Sequence, residues 1–181
     1  MKKTALVVLT DGFEEIEAVT PIDLLRRADT EVTLASATDS LGLKGKMGVV
    51  LRADSFLADC LGTEYDLLVL PGGPGVFTLR QDRRVLELIR TRVGLGLPVA
   101  AICAAPLLLQ DAGVLDGKAY TAHGTVCDEL PDMRQDVPVV EDLPLLTSRG
   151  PGTAFAFGLA LVRLLHGEEI ALRVASETHD D

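Results

Sequence analysis

Cys103 follows the apolar run Pro98-Val99-Ala100-Ala101-Ile102 and precedes Ala104-Ala105-Pro106-Leu107-Leu108-Leu109. That order reads as a buried strand turning sharply into a helix whose first turn holds a proline, where the missing N–H is no loss. A cysteine at such a junction, followed by small residues, has the layout of a nucleophile elbow. The start of a helix favours a thiolate, and its free N–H groups can hold an oxyanion. The chemistry this supports is nucleophilic addition to an electrophilic carbon. An unpaired cysteine also fits as a small buried hydrophobe, and position alone leaves both readings open.

Two further segments lie at strand ends. Asp11-Gly12-Phe13-Glu14-Glu15-Ile16-Glu17 follows the apolar run 4–10 and opens a helix. Glu17 is placed to serve as general acid/base or partner of the thiol; equally, it shares with Glu14 and Glu15 the compensation of the helix dipole. Gly72-Gly73-Pro74-Gly75 follows Tyr65-Asp66-Leu67-Leu68-Val69-Leu70. It reads as a phosphate cradle, a wall of backbone donors around a small pocket, or a plain tight turn. As a dinucleotide fingerprint it fails, because the third small position is Thr78, and no Gly-Lys-Ser/Thr makes it a P-loop. His123, after the apolar stretch Lys118–Thr121, is either a base or a structural histidine. His166 and His179 are assigned no role. Cys60, Cys103 and Cys127 form no C-x-x-C, and His123 with Cys127 lacks further ligands nearby, so no metal site is expected.

Strands are expected at 4–10, Glu31–Ala37, Gly48–Arg52 (short and near an edge), Tyr65–Leu70, Pro98–Ile102, Lys118–Thr121 and Leu145–Ser148. Helices are expected from Glu14 to Ala28 with a kink at Pro21, around Val85–Val93, and from Ala104 towards Gly113. Two more are expected at Thr153–Leu165, closed by Gly167, and at Glu168–Ser176. Residues 124–144, with three prolines, read as loop. Alternating strands and helices on short loops give a single-domain, flavodoxin-like three-layer α/β sandwich with a mainly parallel sheet. In an open parallel sheet ligands bind beyond the carboxyl ends of the strands. Asp11–Glu17, Gly72–Gly75 and Cys103 then share one edge.

Composition fits one domain. The chain has 181 residues, 48% hydrophobic and 24% charged, with aromatics at only 4% and no Trp, so the core is aliphatic. Low-complexity disorder, collagen and disulfide scaffolds are excluded. A net charge of −10 without a Lys/Arg cluster argues against nucleic acid as the main partner and against anionic membrane surfaces. The apolar run after Met1-Lys2-Lys3 stops at Thr10-Asp11-Gly12, short for a signal peptide, and no stretch approaches the ~20 apolar residues of a membrane span. A cytoplasmic protein is expected.

The four segments Asp11–Glu17, Leu70-Pro71-Gly72-Gly73, Ala100–Pro106 and Thr147-Ser148-Arg149-Gly150-Pro151-Gly152-Thr153 together resemble the ThiJ/PfpI superfamily. Within it they are most similar to the branch of the parkinsonism-associated deglycase, in order over about residues 4–175. The resemblance implies a single domain over 1–181, similar to class I glutamine amidotransferases. It places the family's reactive cysteine on Cys103, its partner carboxylic acid on Glu17 and its nearby histidine on His123. Gly72 and Gly73 become the glycine pair beside the pocket, and the Ala104 amide completes the oxyanion site. It further implies a cofactor-free homodimer acting on reactive dicarbonyls, or on their early adducts with proteins or nucleotides, converting methylglyoxal to lactate and glyoxal to glycolate. A redox sensor or chaperone using the same oxidisable Cys103 is the alternative. Protease-like members carry His directly after the nucleophile; here Ala104 follows Cys103, so amidase or peptidase activity is the minor reading. Where relatives often place a pocket arginine, Met47 stands, with Lys46 beside it.

Overall fold

The computed structural model describes residues 2–180. Among the described residues nine strands and seven α-helices follow in order: β1 Thr4–Leu9, α1 Glu15–Arg27, β2 Glu31–Ser36, β3 Gly42–Lys44, β4 Val50–Arg52, β5 Ser55–Phe56, α2 Leu57–Cys60 and β6 Leu67–Leu70. Then come α3 Val76–Leu79, α4 Arg83–Gly94, β7 Val99–Ile102, α5 Pro106–Asp111, β8 Val139–Asp142, β9 Leu145–Ser148, α6 Ala154–His166 and α7 Glu168–Glu177.

Seven strands form one sheet in the order β5-β2-β1-β6-β7-β9-β8, parallel except for β8 on β9. β6 and β7 are apolar at every position because both faces are covered. Alternate residues supply opposite cores: Leu6, Val8, Leu68, Leu70, Val99 and Ala101 pack with α4 and α5. Ala5, Val7, Leu67, Val69, Ala100 and Ile102 pack with α1 and α6. The expected three-layer α/β sandwich is what forms. After β5, which lies on the outer edge of β2, the chain crosses to the other side of β1, so the strand order reverses between β1 and β6. That reversal opens a crevice at the carboxyl ends of the strands, where parallel sheets hold ligands.

Several expectations need correcting. Lys118–Thr121 is not a strand: Ala119 N donates to Asp142 Oδ2 and Thr121 N to Thr147 Oγ1, so side chains take the N–H groups a ladder would use. The strand expected at Gly48–Arg52 is real but lies outside the main sheet, paired antiparallel with β3 as a hairpin; the sheet edge belongs to β5. Within the loop-rich stretch, β8 adds an antiparallel edge strand. α1 is one helix through Pro21. α5 starts at Pro106 rather than Ala104 and has only six residues, so little helix dipole reaches Cys103.

Candidate active site

Cys103 sits between β7 and α5 with φ 66°. A non-glycine residue in this left-handed region costs about 1–2 kcal/mol, and the fold pins it from both sides. Cys103 N donates to Ser148 O at 2.9 Å, and Cys103 O accepts from His123 N at 2.9 Å. The elbow read from the sequence is thus a strained turn held by β9 and by the segment before His123. Cys60 is buried, whereas Cys103 and Cys127 are part-exposed.

Glu17 reaches the thiol from the first turn of α1. Glu14 caps that helix, its Oε2 accepting from Glu17 N at 2.9 Å. The Glu17 side chain is fully buried. Its Oε2 accepts from Gly72 N at 3.0 Å, while Oε1 is buried with no hydrogen-bond partner; the Cys103 thiol lies close enough to the carboxyl to lower its pKa. Gly72 makes this approach possible: a Cβ there would lie 2.5 Å from Glu17 Oε2, 2.6 Å from Cys103 Cβ and 2.8 Å from Ile102 O. Gly73, at φ 97°, would drive a Cβ to 2.5 Å from Gly12 O. The glycine pair is therefore a packing requirement between three strand ends.

Burial is the main force on both titrating groups. It pushes the Glu17 carboxyl up to about 7; the nearby thiol and the Gly72 amide pull it down, and the Glu14 charge pushes it up. Burial also pushes the Cys103 thiol up to about 12, aided by the Glu17 charge and opposed by the amides of Gly73 and Ala104, which point at the sulfur. The two groups titrate as a pair. The backbone N–H groups of Ala104 and Gly73 both act on the thiol.

His123 lies beside the pair, and its ring is committed on one side. Nδ1 accepts from Thr125 N at 3.2 Å and meets Thr125 Oγ1 at 2.8 Å, capping the 3-10 turn Gly124–Val126. A backbone N–H can only donate, so the neutral ring carries its proton on Nε2. Among the described residues no group of three or more His, Cys, Asp or Glu is arranged to hold a metal ion.

Two features were not read from the residues. Glu15 is more than a dipole compensator: its Oε1 accepts from Met47 N at 2.7 Å and Val49 N at 3.3 Å, fastening the β3–β4 hairpin beside the site. Lys46 at the hairpin tip is near enough to lower the Glu17 pKa slightly. Gly150 is buried between His123 and Glu17, where a Cβ would lie 3.0 Å from His123 Cδ2 and 3.8 Å from Glu17 Oε1. Only the motif Gly150-Pro151-Gly152 hinted at this second glycine turn. Beyond it a cleft of about 330 Å³ runs between His123, Arg149 and Thr153.

Residues 3–164 match the DJ-1/PfpI family. The chain is 34% identical over 173 residues to the Caenorhabditis elegans glutathione-independent glyoxalase DJR-1.2, covering 93% of this chain and 91% of that one. It is 38% identical over 176 residues to Arabidopsis thaliana Protein DJ-1 homolog B, covering 96% of this chain but only 40% of that longer relative. The crystal structure of Drosophila melanogaster DJ-1beta superposes with a TM-score of 0.95 at 37% identity, covering 98% of both chains. Family match, sequence identity and superposition agree: the chain belongs to the DJ-1/PfpI family.

Proposed function

We propose that this chain is a cofactor-independent cysteine enzyme that turns methylglyoxal into lactate and glyoxal into glycolate. In this reading Cys103 is the nucleophile and Glu17 the proton carrier. The observation that carries it is the buried pairing of the two, with the amides of Gly73 and Ala104 at the sulfur. The glyoxalase named among the relatives supports the same chemistry.

The thiolate adds to the aldehyde carbon. A C–S bond forms, and the carbonyl π pair becomes an alkoxide that takes the proton held by Glu17. Donors beside the sulfur stabilise that oxyanion. The ionised Glu17 then removes the hydrogen on the same carbon, and the electron pair shifts to the neighbouring carbonyl as an enediolate. Return of that proton to the neighbouring carbon, with the hydroxyl proton of the first carbon passing to the oxygen of the second, leaves an α-hydroxy thioester. The first carbon has been oxidised by two electrons and the second reduced by two, so no nicotinamide is required. Water cleaves the thioester, releasing the acid and the thiol. On a glycated protein or nucleotide the same steps follow once the hemithioacetal or aminocarbinol gives up its thiol or amine. His123 suits donation from Nε2 better than base chemistry, because its Nδ1 lone pair is taken by Thr125 N.

The same reading includes a homodimer. Ile16 and Val19 of α1 and Met47, Val49 and Val50 of the hairpin are exposed around the site, an apolar face suited to a second copy. Lactate formation from methylglyoxal, wild type against Cys103→Ser, tests the chemistry. Turnover is expected in the first and none in the second. A wild type that oxidises at Cys103 yet forms no lactate moves the assignment to a redox sensor.

A further inference from the structure

The cleft beyond Gly150 has a feature the dicarbonyl chemistry does not use. Its lining includes His123, Arg149 and Thr153, and a second hollow of about 190 Å³ adjoins it, sharing Ala122, Gly124 and Arg149. Arg149 thus stands where the two lobes meet. No carboxylate lines either lobe, although the chain as a whole carries a net charge of −10. The nearby Arg134 is spent on Asp136. Arg149 is not: Nη1 donates to Gln135 O at 2.9 Å, and among the described residues no carboxylate pairs with its guanidinium. The neutral His123 ring adds an Nε2 donor on the same wall, because its Nδ1 is held by Thr125 N. A cleft of this size falls at the low end for small-molecule pockets, about 300–1,000 Å³, and is roomier than a three-carbon dicarbonyl needs.

We propose that this cleft is a carboxylate subsite governed by Arg149, so that the carbonyl compounds or adducts preferred by Cys103 are ones that carry a carboxylate. The inference rests on the reading of Cys103 as the nucleophile for its link to catalysis, but the binding of a carboxylate stands apart from it. A guanidinium fork matches a carboxylate in shape and charge. His123 and Gly150 line the cleft, and Gly150 packs between His123 and Glu17, so these two residues separate the cleft from the reacting pair.

The test is a titration of the intact protein, followed by heteronuclear NMR or calorimetry, with three non-reactive probes. Glycolate represents a small product acid, N-acetylalanine an amino-acid carboxylate, and N-acetylalanine N-methylamide a neutral control. Wild type is expected to bind at least one of the two carboxylates and to ignore the amide. Arg149→Met should weaken that binding at least about tenfold, as loss of a charge-assisted hydrogen bond implies. Arg149→Lys should fall between, and added chloride should weaken wild type but not Arg149→Met. Preference for glycolate identifies product retention, and preference for N-acetylalanine identifies an amino-acid adduct. Arg149→Met also loses the bond to Gln135, so a loosened loop is a separate cause of weak binding. The Lys variant and the chloride dependence separate that effect, since neither follows from loop disorder. Carboxylate binding within twofold of wild type in Arg149→Met, or equal binding of the amide, overturns the proposal. Absence of lactate formation with intact carboxylate binding counts against the catalytic reading alone.

Discussion

Two anions a few ångströms apart in a buried pocket repel, and the Glu17–Cys103 pair avoids this by keeping a proton. Burial and the charge of an ionised Glu17 both hold the Cys103 thiol up; the proposed reactive state moves the shared proton onto Glu17, which removes that charge and leaves a thiolate facing the two amides. Glu17→Gln keeps a donor for the thiolate but cannot carry protons, so turnover should fall about 10²–10⁴-fold while thiolate absorbance persists. Glu17→Leu removes the donor as well, and the thiolate signal at neutral pH should shrink. Wild-type turnover in Glu17→Gln would reduce Glu17 to a helix-start carboxylate. Stability gives an independent readout. The carboxyl is raised from 4.5 to about 7 in the folded chain, so between those values the folded state holds a proton that the unfolded state has released. The Glu17 contribution to stability is therefore full below 4.5 and declines as pH rises, by about 3 kcal/mol once pH exceeds 7. Thermal melts from pH 4 to 8 should show this decline in wild type and a flatter profile in Glu17→Gln. Parallel profiles would mean that the carboxyl is solvated.

At the scale of elements, the site depends on how closely β1, β6 and β7 deliver their following turns. Gly72 is one of the tightest points, with Glu17 of α1 on one side and the backbone of Ile102 on the other. Gly72→Ala has nowhere to place its methyl, since Ile102 O cannot move without disturbing the β7 end. The expected cost is about 1–3 kcal/mol of overpacking or slightly more, read as a fall in Tm of about 2–4 °C per kcal/mol for a chain of this size. Alkylation of Cys103 should change along with it, because the same methyl lies 2.6 Å from Cys103 Cβ. A Tm unchanged within error would mean that this junction is looser than its geometry implies. The turn itself was readable from Gly72-Gly73-Pro74-Gly75, but its purpose was not. A glycine demanded by a neighbouring element looks the same in sequence as one demanded by its own φ angle.

For the whole molecule, light scattering on the purified protein should give twice the chain mass, and Met47→Glu with Val50→Lys should shift it towards monomer. A wild-type monomer would remove the apolar face as an interface. No described helix is long and apolar enough to cross a membrane. The sequence alone determined most of the architecture, because unbroken apolar strands such as Val7–Leu9 and Leu67–Leu70 permit only a sheet covered on both faces, and short loops between alternating elements make it parallel. It also determined the three strand ends where chemistry gathers, since Asp11–Glu17, Gly72–Gly75 and Cys103 each follow such a strand. Short pieces were misread where tertiary partners replace the ladder: Lys118–Thr121 gives its N–H groups to Asp142 and Thr147, and β4 pairs with β3 rather than with the sheet. The family resemblance pointed to Glu17, but spacing alone did not; only the tertiary structure shows why, among three neighbouring glutamates, Glu17 is the one buried against the thiol. Helical spacing turns Glu14 to the cap and Glu15 to the hairpin, and burial of a carboxyl is a property of what surrounds it, not of its own segment.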